Sequence, residues 1–381
     1  MLSTVVTNLL PKLLRSEAPP VQSSFCGASD VIEVPVFEFG MLGFSAQQRE
    51  HLAGLVTSLP QATATWRSCH FAEADAWLVC GQKTRLNPKS EPDPSTSHSD
   101  SVRILAGMPS EHLTVLNLNQ VNRPMGFSVP LHSADIEPRF TFDPTSAQGL
   151  QKLLHQFEAC LRPLHAQIVL GKQLIEHEAN LMPTVYHVIY NGHLLAVMDF
   201  VNWKIGFSPD ANPQHLEHAI WEKRPTQAHV IPNGFIHTDA AKLRWMYARH
   251  SMRDLLPARY RHDVIYFRQA PTVPVSWLTD SHLLLMRELS ARPANFQQLI
   301  ERTGMAHEQL TRDVACLYFS ACLTTLASKA ANASSKPFQF KRNSAGKSAT
   351  NQGNIFNSSL HQDANIAPED DRTVPARLGD R

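Results

Sequence analysis

No two cysteines in this 381-residue chain stand at C-x-x-C spacing. The six that occur, Cys26, Cys69, Cys80, Cys160, Cys316 and Cys322, are scattered. That pattern argues against a zinc knuckle or a disulfide framework and fits a reducing cytoplasm. Charge of one sign is also missing. The net charge is +1, so binding to nucleic acid or to an anionic membrane would need a local patch. There is no long hydrophobic run. The most apolar window, Leu181 to Val201, holds two histidines, an Asn-Gly pair and Asp199, which is the pattern of a soluble β-hairpin and not of a membrane span. The opening "MLSTVVTNLLPKLLRSEAPP" has no basic region ahead of its apolar one, and no small-residue cleavage site follows, so a secretory signal is not expected.

Catalytic motifs are equally scarce. His177-Glu178 lacks the second histidine that a zincin requires. "AGKS" near residue 347 lacks the upstream glycine and the preceding strand of a P-loop. No catalytic residue, metal site or cofactor is predicted.

What is present is organisation. With 43% hydrophobic and 18% charged residues, the chain can build two or three domains with real cores. Residues 1–30 read as weakly ordered. "VIEVPVFEFG" (31–40) reads as a strand. The helix that follows starts at Ser45, which with Gln48 has capping-box spacing, and Leu52, Leu55, Val56 and Leu59 form one face. "TATWRSC" and "AWLVC" are two further strands. A Pro/Ser-rich loop spans 84–101, and "VRILAG" and "LTVLNLN" are short strands beyond it. From Asp143 the spacing of Leu150, Leu153, Leu154, Phe157, Leu161 and Leu164 predicts a long helix that Pro163 kinks or divides.

The clearest local signal is "TVYHVIY-NG-HLLAVMDF", two strands around Asn191-Gly192. A type I′ turn there pairs Ile189 with Leu194 and Tyr190 with His193. Both faces carry apolar residues, so the hairpin should be covered on both sides. "KIGF" adds a third strand. "PQHLEHAIWEKRP" and "DAAKLRWMYARHS" read as helices, and "YRHDVIYF" as a strand. Residues 281–325 hold three helical patterns, with Asn295 as an N-cap and Gly304 closing the second. Their spacing resembles a winged-helix or helix-turn-helix unit. From Ala330 the composition turns to Ala, Ser, Asn, Gln and Lys, as in a disordered tail.

The first 130 residues resemble the receiver domain of response regulators: a strand, an amphipathic helix, further short strands, a basic-residue-proline loop and a closing helix. The resemblance implies acidic residues after the first strand, a phosphate-accepting aspartate at the end of the third, and a lysine before a proline after the fifth. Here the first strand ends in Phe39-Gly40 with Glu38 nearby, the third ends at Cys80, and the last loop offers Arg123-Pro124. The resemblance therefore implies a receiver that cannot be phosphorylated in the usual way.

Several side chains could carry chemistry. Cys80 could be a nucleophile, but an apolar "AWLVC" reads first as a buried strand end. His215 and His218 share a helix face, and His193, Asp199, His237 and Asp239 could add metal ligands, although nothing in the sequence ties them together. Asp199 reads more simply as a turn former. In 242–262, Arg249, Arg253 and Arg259 are interleaved with aromatics and could bind a small nucleotide. A solvated helix face opposite Leu243, Met246, Tyr247 and His250 is the preferred reading. In the third C-terminal helix, Gln309 and Arg312 would be the DNA contacts, with Lys336, Lys341, Arg342 and Lys347 of the tail adding phosphate contacts.

The sequence thus predicts α/β plus α+β architecture. A disordered N-terminus (1–30) leads to a receiver-like α/β domain (31–142). Connecting helices (143–180), a central hairpin and meander domain with helices (181–280), a winged-helix-like unit (281–329) and a disordered tail (330–381) follow. The expected function is that of a cytoplasmic, bacterial-type, non-enzymatic signalling or regulatory protein that binds a partner protein or ligand. The alternatives are a DNA-binding regulator and a metal- or thiol-dependent enzyme.

Overall fold

The computed structural model describes residues 25–26, 33–60, 63–86, 101–105, 113–117, 123–132 and 138–331. Most of the expected N-terminal and C-terminal disordered segments and of the Pro/Ser-rich loop, together with "AGKS" and the tail lysines, lie outside them.

Ser45 caps α1 (Ala46–Ser58) through a reciprocal pair of bonds with Gln48. That helix connects β2 (Val36–Leu42) to β3 (Thr65–Ser68). β4 (Ala76–Val79), β8 (Met125–Ser128) and β9 (Phe140–Phe142) complete an all-parallel sheet of order β3-β2-β4-β8-β9. The strands therefore lie in the order second, first, third, fourth, fifth. Only residues 69–75 cross from β3 to β4, and they pass directly over β2. A Cβ on Gly40 would sit 2.5 Å from the Phe71 backbone, so the short crossover requires glycine there. Between β4 and β8 the chain forms a separate antiparallel sheet, β5 (Thr84–Leu86), β6 (Ser101–Leu105) and β7 (Leu113–Asn117).

α2 (Ala147–Cys160) and α3 (Arg162–Glu176) are two helices. Pro163 sits in the first turn of α3, where its missing N–H costs nothing, and the helix divides there. α2 lays Leu150, Leu153 and Phe157 against Phe37, Phe39 and Trp66 of the sheet.

The central part is a six-stranded antiparallel sheet. Its order is β1 (Phe25–Cys26), β13 (Ile220–Arg224), β10 (Val185–Tyr190), β11 (His193–Asp199), β12 (Lys204–Phe207) and β14 (Ile236–Thr238). The Asn191-Gly192 turn pairs Ile189 with Leu194 and Tyr190 with His193, with both turn residues at positive φ. α3 and α5 (Ala240–His250) cover one face through Val169, Leu170, Leu174 and Leu243. Residues 225–235 cross the other face, where His187 Nε2 donates to the Ala228 carbonyl at 2.9 Å and Ile231 packs on Gly206.

Two expectations fail here. "PQHLEHAIWEKRP" is helical only over α4 (Pro213–Glu217), after which the chain becomes strand β13. Trp221 pairs with Val188 and buries its ring beside Tyr186, so sheet packing overrides the helical pattern. "YRHDVIYF" begins as a single helical turn, α6 (Arg259–His262), and only Tyr266–Phe267 is strand, β15. The fully buried Tyr260 sets that turn, its hydroxyl donating to the Leu323 carbonyl at 3.3 Å.

α7 (Asp280–Ala291), α8 (Phe296–Thr303) and α9 (His307–Phe319) follow, with Asn295 and Gly304 capping α8 as expected. β16 (Leu323–Thr324) pairs back with β15. α9 is not a surface helix. From Leu310 to Leu317 only Arg312 is more than marginally exposed. One hydrophobic cluster runs from Phe37 and Trp66 through α2 and α5 to Leu310, Val314 and Leu323. The chain is mixed α/β. Among the described residues no helix is long and apolar enough to cross a membrane.

Candidate functional site

Polar side chains concentrate where α5 and α9 meet the amino edge of the parallel sheet. Glu38 interrupts the apolar run of β2, and Asp75 ends the crossover just before β4. The two are locked together: Asp75 N–H donates to the Glu38 carbonyl at 2.7 Å, and Glu38 N–H donates to Asp75 Oδ2 at 2.9 Å. His250, the last residue of α5, approaches from the other side. Its Nδ1 donates to the Met246 carbonyl at 2.9 Å, and Nε2 lies 3.2 and 3.3 Å from the two Asp75 oxygens. Burial pushes the Asp75 carboxyl up, yet His250 and then Arg249 outweigh it and hold the group below the usual carboxylate range. A carbonyl only accepts, so Nδ1 of His250 carries a proton.

Two arginines bracket Glu38. Arg249 Nη2 is 4.0 Å from one carboxylate oxygen and donates to the Glu73 carbonyl; Arg312 Nη1 is 3.8 Å from the other. A further tether comes from Glu33, which accepts from the Tyr247 hydroxyl at 2.7 Å and pairs with Arg253 Nε at 3.2 Å. Cys69 borders the cluster. Burial, then Glu38 and Asp75, push its thiol far above the ordinary range, which disfavours the thiolate.

Behind this lies a second, drier group. His282 Nδ1 sits 2.6 Å from Thr279 Oγ1 in the α7 capping box, and the Trp245 ring lies 4.8 Å over the imidazole. His282 Nε2 is 3.6 Å from Asp313 Oδ1, too far for a hydrogen bond. Burial drives the His282 pKa down to about 3 and the Asp313 pKa up to about 7. With His282 neutral, the contact is not an ion pair, although its length falls within ion-pair range. Trp245 Nε1, His282 Nε2 and Asp313 Oδ2 are buried polar atoms without a hydrogen-bond partner.

The sequence-predicted residues are dispersed across the molecule. Cys80 ends β4 at the opposite, carboxyl edge, its N–H donating to the Leu42 carbonyl at 2.9 Å. Arg123-Pro124 does not follow the last strand. It precedes β8 at the amino edge, where Arg123 stacks over Trp77 at 5.5 Å and donates to the Ala72 carbonyl at 2.9 Å. Receiver-type placement of a basic residue beside Cys80 is thereby corrected, because the two strands expected as fourth and fifth, β6 and β7, belong to the separate antiparallel sheet, and β8 and β9 take those places. Arg249, Arg253 and Arg259 have separate surroundings: the Glu38 cluster, Glu33 with Glu176, and the Tyr260 ring at 5.4 Å. Gln309 is exposed in the first turn of α9, whereas Arg312 turns inward to Glu38.

His215 stacks on Tyr190 at 4.5 Å beside a cleft of about 420 Å³ that His193 and Asp210 also line, and His218 bonds the Gln214 carbonyl. Asp199 caps the β11–β12 turn, Asp239 caps α5, and His237 is exposed on β14. No group of three metal-ligating side chains occurs among the described residues. Sequence reading missed Glu38, Asp75, His250, His282 and Asp313 as a cluster. The one available signal was Glu38 in an otherwise buried strand.

No family model, curated protein or solved structure matches the chain.

Proposed function

We propose that the chain is a non-enzymatic regulatory protein that acts by binding. In this reading a receiver-like parallel sheet is coupled to the C-terminal helices through the buried charge cluster. The observation that carries it is the seating of Arg249, His250 and Arg312 on Glu38 and Asp75, groups far apart in sequence whose charges are satisfied only together. A binding event that moves α9 must then alter the sheet, which is a coupling free energy between two sites.

One feature supports the receiver-like part, and two departures from the family pattern fit a receiver that is not phosphorylated in the usual way. The order second-first-third-fourth-fifth is that of the flavodoxin-like doubly wound sheets, which include receivers. Such sheets hold ligands at the carboxyl edge, and here that edge offers Leu42, Cys80 and Ser128 where phosphoryl chemistry would need acids. Asp143-Pro144 follows the fifth strand where the family has a lysine, and Asp143 is engaged with Thr145. The DNA-binding alternative has less support. α9 is buried from Leu310 to Leu317 except at Arg312, which lies 3.8 Å from Glu38, so only its first turn, with the acidic Glu308, is free to face a groove.

The test is cross-linking in the native cell and purification of the tagged full chain, wild type against Arg312→Glu. Binding predicts a stoichiometric protein partner whose recovery falls several-fold in the variant while far-UV circular dichroism is unchanged. Recovery of nucleic acid in place of protein, or a partner set indifferent to Arg312, overturns the reading.

A further inference from the structure

The turn between β11 and β12 is built in an unusual way. Asp199 is 1% exposed, yet its whole carboxylate serves the turn. Oδ1 accepts from the N–H groups of Val201 and Asn202 at 2.9 and 3.0 Å, and Oδ2 accepts from the Asn202 side chain at 2.8 Å. Trp203 then takes φ 54°, in the left-handed region that bulky side chains avoid. A turn that needed only this backbone would carry glycine or asparagine. Here it holds a tryptophan that is 42% exposed, beside Val201 at 46%.

The exposed ring is backed by the core. The Trp203 ring rests edge-on against Phe200 at 6.2 Å, and Phe200 against Tyr186 at 5.8 Å. The Tyr186 hydroxyl accepts from the Met182 N–H at 3.0 Å, and Met182 is 57% exposed. Lys223, opposite Tyr186 in the sheet register, places Nζ 3.3 Å from the Met182 sulfur. Lys204 leaves the other side of the turn. Among the described residues neither lysine has a carboxylate within ion-pair distance, whereas Arg224, Lys242 and Arg244 around them are paired. The result is an ordered apolar surface with two lysines at its margin, Lys204 beside the turn-bound Asp199 in the register and neither lysine in an ion pair among the described residues. Hot spots of protein interfaces have this form: a pre-ordered aromatic anchor with polar groups at its margin.

We propose that Trp203, Val201 and Met182, rimmed by Lys204 and Lys223, dock an acidic segment of a partner protein that carries an apolar side chain. The unpaired lysines set the sign of the partner's charge. The polar tip residue Asn202, fixed to Asp199 between the two apolar side chains, favours a protein over a lipid surface. The inference rests on the chain being a binding protein but not on the charge cluster.

Phage-displayed random peptides panned on the full chain are the test, followed by fluorescence anisotropy of an enriched peptide. Enriched sequences should place Asp and Glu around an aromatic or leucine. Trp203→Ala should weaken the peptide about tenfold or more, and Lys204→Glu with Lys223→Glu should do the same. Trp203→Gly relieves the left-handed backbone and so offsets part of the packing lost with the ring; it should keep a cooperative melt while losing the peptide, which separates docking from folding. No enrichment, enrichment of basic peptides, affinity unchanged by Trp203→Gly, or sedimentation with phosphatidylserine vesicles in place of peptide binding would overturn it. Failure here with an Arg312-dependent partner intact removes this surface alone.

Discussion

Asp313 and His282 set opposite limits on stability with pH. The Asp313 pKa rises from 3.8 to about 7 on folding, so its favourable contribution is complete below 3.8 and is lost as pH climbs through 7. The His282 pKa falls from 6.5 to about 3, so its contribution is present above 6.5 and is lost as pH drops toward 3. Asp313→Asn removes the first penalty only. Thermal melts across pH should show the variant gaining on wild type from acid to neutral, with the gain levelling off above about 7. A gain that shrinks with rising pH would mean that Asp313 is ionised in the folded protein. At the same scale, Asp75→Ala strands the buried His250 against no acceptor. Urea unfolding should show a loss of about 3 kcal/mol, and combining it with His250→Phe should restore part of that loss.

At the scale of elements, α3 and α5 approach each other closely. A Cβ on Gly171 would lie 2.2 Å from the Leu243 carbonyl oxygen, which is backbone and cannot rotate away. Gly171→Ala should therefore cost about 1–3 kcal/mol in denaturant unfolding, by prising the two helices apart. The elements that sequence made legible are those whose instructions are local. Ser45 with Gln48 names the start of α1, Asn191-Gly192 names its hairpin, and Asn295 and Gly304 bracket α8. β13 and α6 were illegible because distant partners decide them: Val188 and Tyr186 for Trp221, and Leu323 for Tyr260. The candidate site was illegible for the same reason. Nothing near Glu38 announces Arg249 or Arg312, and a lone histidine after Met246 and Tyr247 reads as any helix end.

At the scale of the molecule, the main hydrophobic cluster ignores the boundaries that composition suggests. It runs from Phe37 through Phe157 and Trp245 to Leu317. Calorimetry should therefore show the parallel sheet and the C-terminal helices melting in one transition, and two resolved transitions would contradict this. The C-terminal helices should also fail alone. A fragment of residues 281–331 lacks α5 and exposes Leu310, Val314 and Leu317, so it should bind the dye ANS and melt without cooperativity.

The docking of α5 on the sheet has a consequence for how the protein is made. Asp75 leaves the ribosome 175 residues before His250. At roughly 5–20 residues per second the wait is about 9–35 s. Over that interval the remaining strands and α2 are completed, but until α5 follows, Asp75 lacks His250, and Phe37 and Trp66 lack the α5 surface that later joins their cluster. Apolar surface exposed in this way is open to non-native contacts for a period set by translation speed. Codons between residues 75 and 250 control how long that exposure lasts.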